Sequence, residues 1–128
     1  MKMSMLLIML ALMTWSCSPV KETTKTSAEL NQVEQDSTEY EIIIVDIHFD
    51  QWYLLNYFES KDRTIEYYHS KNIMAASRWD DYYRRGKFTG VIDSYINYQP
   101  QIDYGMEVNR KLFWYFKFVE EYYHIRLF

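Results

Sequence analysis

One four-residue pattern occurs twice, as Glu66-Tyr67-Tyr68-His69 and Glu121-Tyr122-Tyr123-His124. On a helix a Glu and a His three positions apart share one side, and two such helices, joined by one glutamate from each of two more, hold a dinuclear metal. Two observations weigh against that chemistry here. The apolar periodicity around each motif turns Glu66 and Glu121 toward the wet side of their helices, and so short a domain lacks two further helices with inward glutamates. Both motifs are read as solvated helix surface, and no metal ligand or cofactor is assigned.

A second cluster, Asp46, His48 and Asp50, lies between an apolar run and a helical pattern, where loops often carry function. An imidazole between carboxylates can act as a base or a ligand. The plainer account has Asp50 capping the helix, Asp46 closing the strand and His48 in the loop. The three residues stand as a candidate loop site without a nucleophile. Asp103 and Glu107 are paired carboxylates one helical turn apart, which capping and dipole compensation explain without catalysis. Ser94, Tyr95 and Tyr98 supply hydroxyls with no neighbouring base at motif spacing. No catalytic residue is assigned, and the sequence favours a noncatalytic protein over an enzyme.

The elements that position these groups follow from periodicity. Tyr40 to Asp46 contains the unbroken run Ile42, Ile43, Ile44 and Val45, the pattern of a strand covered on both faces. Asp50 is placed to cap a short helix over Gln51 to Glu59. A longer helix is expected from about Thr64 to Arg85, with Ile65, Tyr68, Asn72, Ala75, Ala76, Trp79 and Tyr83 on one side. Gly86 and Gly90 end it, Val91 to Asn97 reads as a second strand, and Pro100 breaks that strand. Asp103 can cap a last helix, about Tyr104 to Tyr123. The order strand, helix, helix, strand, helix makes an α+β domain, a small sheet covered by about three helices.

On the last helix Val108, Leu112, Tyr115, Phe116, Val119 and Tyr123 form the apolar stripe, opposite Glu107, Arg110, Lys111, Lys117 and Glu121. Trp114 and Phe118 fall on the charged side, with Tyr122 at its margin. A cluster of exposed rings marks a contact surface, so these three are the candidate partner-docking residues.

The amino terminus has the order of an export signal: Lys2, the apolar run Met5 to Met13, then small and polar residues ending at Cys17. That run of nine residues falls short of the roughly twenty that cross a bilayer as a helix. Leu12-Met13-Thr14-Trp15-Ser16-Cys17 resembles the lipobox of bacterial lipoproteins, in which cleavage precedes a cysteine that carries diacylglycerol. Residues 1–16 are thus expected to be a signal peptide, and Cys17 the lipidated residue that holds the chain at a membrane. Cys17 is also the only cysteine, so no intramolecular disulfide staples the fold.

Residues 17–39, rich in Ser, Thr, Glu, Gln and Lys, read as a flexible acidic tether, and 40–128 as a single folded domain. From Ile42 onward, 11 Lys or Arg stand against 12 Asp or Glu. Neither segment has the basic balance of a nucleic-acid binder. With only Gly86, Gly90 and Gly105, the chain has no glycine-rich phosphate loop.

Four stretches stand out: Tyr40-Glu-Ile-Ile-Ile-Val-Asp46, Phe49-Asp-Gln-Trp52, Ile96-Asn-Tyr-Gln-Pro-Gln-Ile-Asp-Tyr-Gly-Met-Glu-Val-Asn109 and Tyr115-Phe-Lys-Phe-Val-Glu-Glu121. Together they resemble an uncharacterised family of small Bacteroidetes lipoproteins. The resemblance implies export, lipidation and a single domain of unknown function, and supplies no catalytic residue. It also implies an outer-membrane address, because Ser18 after the cysteine is similar to the residues of lipoproteins released from the inner membrane. The expected role is a noncatalytic envelope module with an envelope protein or glycan as partner. The alternative is a small envelope hydrolase or carbohydrate-binding module. Trp52, Trp79 and Trp114 discriminate: a shared groove favours sugar, and scattered burial favours the support module.

Overall fold

The computed structural model describes residues 28–32 and 40–128. Residues 1–16 and Cys17, with the signal and lipid anchor expected there, lie outside the described residues. Two strands, β1 (Ala28–Gln32) and β2 (Tyr40–Ile44), precede three helices, α1 (Phe49–Asn56), α2 (Ile65–Arg84) and α3 (Gly105–Tyr123). A single 3-10 turn, Glu59–Lys61, links α1 to α2. The fold is α+β, a small two-stranded antiparallel sheet packed against three helices.

The sheet partner of β2 is not the segment that periodicity singled out. β1 comes from the stretch read as tether, and it pairs antiparallel with Ala28 opposite Ile44 and Leu30 opposite Ile42. Opposed residues in such a pair project to one face. Ala28 and Ile42 are buried on that face, while Glu29, Glu41 and Ile43 lie on the exposed one. The branched run therefore has one covered face rather than two. A lone hairpin is marginal in water and needs a packed face; α3 supplies it, with Tyr40 edge-on to Tyr104 at 4.9 Å.

Val91 to Asn97 does not form a strand. Its backbone groups bond elsewhere: Val91 N and Ile92 N donate to Phe88 O, and Ile96 N donates to Asp80 Oδ1 at 2.8 Å. Ser94 O accepts from Trp79 Nε1 at 2.8 Å. Asn97, in the left-handed region at φ 58°, breaks the extended run. The segment seals the core as an irregular strap, with Ile92, Ile96 and Tyr98 buried.

The helices lie close to their expected bounds. Thr64 Oγ1 accepts from Tyr67 N at 3.3 Å and caps α2. Asp103 Oδ1 accepts from Gly105 N at 2.9 Å at the start of α3. Asp50 does not cap α1; His48 holds the N-cap position, and Asp50 sits exposed in the first turn, where a carboxylate favours the helix dipole. Beyond α3, His124 turns left-handed at φ 57°. The tail then folds back, with Leu127 N and Phe128 N donating to Glu120 Oε1 at 2.8 and 2.7 Å.

The largest correction concerns α3. Trp114 and Phe118, expected on its wet side, are 8% and 0% exposed. α3 is a central helix: α2 packs on one flank, β2 on another, and α1 covers the side on which the charges fall. Trp114 meets Trp52, Tyr53 and Tyr57 with ring centroids 5.5 to 6.3 Å apart. Phe118 sits among Phe49, Trp52 and Tyr122 at 5.0 to 5.6 Å. Of the three docking candidates only Tyr122 stays exposed.

Candidate functional site

The loop after β2 holds the first candidate cluster. Asp46 accepts from His48 N through Oδ1 at 2.9 Å and from the Tyr123 hydroxyl through Oδ2 at 2.5 Å. Oδ1 thus closes the loop on itself, and Oδ2 ties it to the end of α3. Burial, with the Asp46 carboxylate second, pushes the Tyr123 hydroxyl well above the usual phenol range. The His48 ring stacks on Tyr122 at 5.2 Å and 23°. Asp50 borders a different cavity of about 390 Å³, with Tyr53, Leu54, Glu107, Arg110 and Lys111. Asp46 and His48 share a loop, but the structure engages the carboxylate in holding that loop.

The two Glu-x-x-His motifs are separated. His69 Nδ1 lies 2.7 Å from the Tyr98 hydroxyl, near the start of α3, whereas His124 is the exposed C-cap of that helix. Glu66 is exposed, and Glu121 lies 3.7 Å from Lys117 Nζ. Among the described residues no group of three or more His, Cys, Asp or Glu is placed to hold a metal ion. Asp103 and Glu107 also part: Asp103 borders a cleft of about 280 Å³ beside His69, and Glu107 borders the cavity at Asp50.

Two polar networks escaped the sequence reading. In the first, the Tyr98 hydroxyl donates to Asn109 Oδ1 at 2.6 Å, Asn72 Nδ2 donates to Asn109 O at 2.8 Å, and Asn109 Nδ2 donates to Gly105 O at 2.8 Å. Asn72 and Asn109 are buried, and burial holds the Tyr98 hydroxyl protonated far above its usual range. The signal for this network was Asn72 within the apolar stripe of α2; Asn109, three residues before Leu112 and seven before Phe116, falls on the stripe of α3 though not among the residues that define it. Asn109→Ala should cost about 1 to 2 kcal/mol, since it removes the acceptor of the buried Tyr98 hydroxyl, leaving that group only His69, and one bond of Asn72. A urea titration showing no loss would remove the network's structural role.

In the second network, Arg110 grips Asp62 with two parallel bonds of 2.9 and 2.7 Å, and the Tyr68 hydroxyl donates to the same carboxylate at 2.6 Å. The Arg110 bonds hold the Asp62 carboxyl down at about 2. A depressed carboxylate stabilises the fold above its unfolded value, and that contribution is lost as pH falls through the folded one. Acidification from pH 5 to pH 2 should remove about 1 to 2 kcal/mol through this group, allowing for partial exposure. Asp62→Asn should flatten that part of the profile in denaturant melts. Spacing could not find the pair, because 48 positions separate its members.

The tryptophans do not line one groove. Trp79 is fully buried between α2 and α3, while Trp52 and Trp114 meet 6.1 Å apart in a separate aromatic layer under α1. No curated protein and no solved structure matches the chain. The model of one family, described as a family of unknown function (DUF6146), matches residues 5–128.

Proposed function

The chain belongs to that family, DUF6146, and from this premise we propose that it is an exported lipoprotein, anchored through Cys17, whose domain is a noncatalytic binding or assembly-support module of the bacterial cell envelope. The order of Lys2, the apolar run and Cys17 supports the anchor, and the likeness of Ile96 to Asn109 to small Bacteroidetes lipoproteins points the same way. Ser18 favours the outer membrane as the address. No described helix is long and apolar enough to cross a membrane.

One observation carries the noncatalytic reading: Trp79 and Trp114 are spent in the core rather than presented around a ligand groove. The Asp46 carboxylate is likewise engaged in holding its own loop. Metabolic labelling with a palmitate analogue should mark the chain, and Cys17→Ala should abolish the label. Detergent-purified protein should stay in the supernatant when peptidoglycan sacculi are sedimented. Co-sedimentation that Trp52→Ala abolishes would establish the carbohydrate-binding alternative instead, and an unlabelled native chain would overturn the anchor.

A further inference from the structure

α1 is built inside out relative to its surroundings. Phe49, Trp52, Tyr53 and Asn56 turn toward α3, while the outward side carries Leu54 and Leu55, 77% and 67% exposed. Ile47, in the turn just before the helix, and Phe58, just after it, are 84% and 53% exposed. At 100° per residue, Leu54 and Leu55 lie on the face opposite the packed one. So much apolar surface on one short helix marks a contact face rather than scattered exposure.

Three observations identify what covers it. First, the segments 18–27 and 33–39 are polar in sequence, with one large aliphatic residue each, Val20 and Val33, and so little with which to match such a face. Second, the described chain begins at Ala28, paired with Ile44, so the segment from Cys17 enters the domain at the end of β2 that leads directly into Val45 and Ile47. The 11 steps from Cys17 to Ala28 reach at most about 40 Å when fully extended. Third, the rim suits a water–lipid boundary. Lys61 Nζ lies 5.2 Å over the Phe58 ring, an ammonium on an aromatic at the border of the apolar face. Asp50, one turn before Leu54 on the same side of α1, and Glu59, beyond the helix, are acidic, so attraction to anionic lipid is not the driving term.

We propose that the outward face of α1, with Ile47, Leu54, Leu55 and Phe58, lies in the surface of the lipid bilayer to which Cys17 holds the chain. The inference rests on the lipoprotein reading. A short helix with its apolar side sunk to the headgroup boundary is an interfacial contact. Here it orients the domain, turning α2, on the other side of α3, toward water.

The test uses the full lipidated chain in phosphatidylcholine bilayers containing a spin-labelled lipid. Lipid on Cys17 leaves the native chain without a free thiol, so Leu54→Cys and, on exposed α2 surface, Ser77→Cys each take a single fluorophore. The label at 54 should lose most of its emission to the spin-labelled lipid, and the label at 77 little. Equal quenching at both positions overturns the proposal. So does access of aqueous iodide to position 54, or shielding of 54 from both quenchers, the signature of a protein cover such as a second copy. Thiol labelling of the native chain would show that the anchor reading has failed, and the proposal with it; an unlabelled native chain with an unquenched position 54 would fail the face alone.

Discussion

Trp79→Ala should lower the unfolding free energy by about 3 to 5 kcal/mol, the range for truncating a buried aromatic in a packed core. Trp79 has no exposed surface, and its ring meets Tyr115 at 5.9 Å and Phe116 at 6.1 Å across the α2–α3 interface. The indole also donates to Ser94 O at 2.8 Å, holding the irregular strap against the helices. Alanine therefore opens a cavity and strands a carbonyl at once. Trp79→Phe separates the two effects, since it keeps much of the ring volume and removes the donor. Urea unfolding followed by far-ultraviolet circular dichroism measures both variants. A loss below about 1 kcal/mol for Trp79→Ala would mean that the α2–α3 core is not packed as described.

Phe118→Ala should cost a similar amount, about 3 to 5 kcal/mol. It is fully buried between Phe49 and Trp52 of α1 and the end of α3. Trp114→Ala should also destabilise strongly, because its ring contacts α1 and the Tyr57 segment. The position next to Phe118 serves as the control. Lys117 is partly exposed and meets Glu120 and Glu121 only at 3.8 and 3.7 Å, so Lys117→Ala should stay within about 0.5 kcal/mol of the parent. Periodicity alone puts Phe118 and Lys117 together on a wet face and expects both changes to be mild. Equal, small effects would restore that view and remove α1 from its place over α3.

The contrast shows how far the pattern carries. α2 and α3 were legible because a helix of about twenty residues repeats its apolar positions over five turns; Thr64 caps α2 as its type suggests, whereas Tyr104 holds the N-cap position of α3 and Asp103, one residue before it, accepts from Gly105 N. The single apolar stripe assigned to α3 was the error. A helix packed on several sides has no single stripe, and only its neighbours show which charged positions are rims between them. Arg110 illustrates this: it falls on the charged side, yet its guanidinium is engaged by Asp62 and lies 5.8 Å over the Tyr57 ring.

The sheet was misread for a related reason. β2 had the branched residues of a strand, but β1 is Ala-Glu-Leu-Asn-Gln, with little β propensity of its own. A strand of that composition forms because a partner offers it a ladder, and partner choice is long-range. Val91 to Asn97 had the better composition, yet Trp79 and Asp80 bind its backbone groups and leave no ladder to make.

The candidate sites divide the same way. Asp46 and His48 lie at the junction between β2 and α1 and Asp50 in the first turn of α1, but what Asp46 and His48 meet was not legible, since Tyr123 and Tyr122 approach from the far end of the chain. The outward Leu54 and Leu55 were visible as letters. Their exposure was not, because aromatics on the opposite side of α1 leave the helix without a single apolar stripe.

What could be read along the chain was local and periodic: the α+β class, the extents of α2 and α3, the Thr64 cap of α2, and the expectation of an anchor at Cys17. The tertiary structure decided everything that depends on which surfaces meet. It chose the partner of β2, buried Trp114 and Phe118, joined Asp62 to Arg110, and left the apolar side of α1 outside. Local hydrogen bonds and side-chain spacing act within a few residues, whereas burial is settled between segments far apart in the chain, and a pattern along one helix cannot say how many neighbours that helix will have.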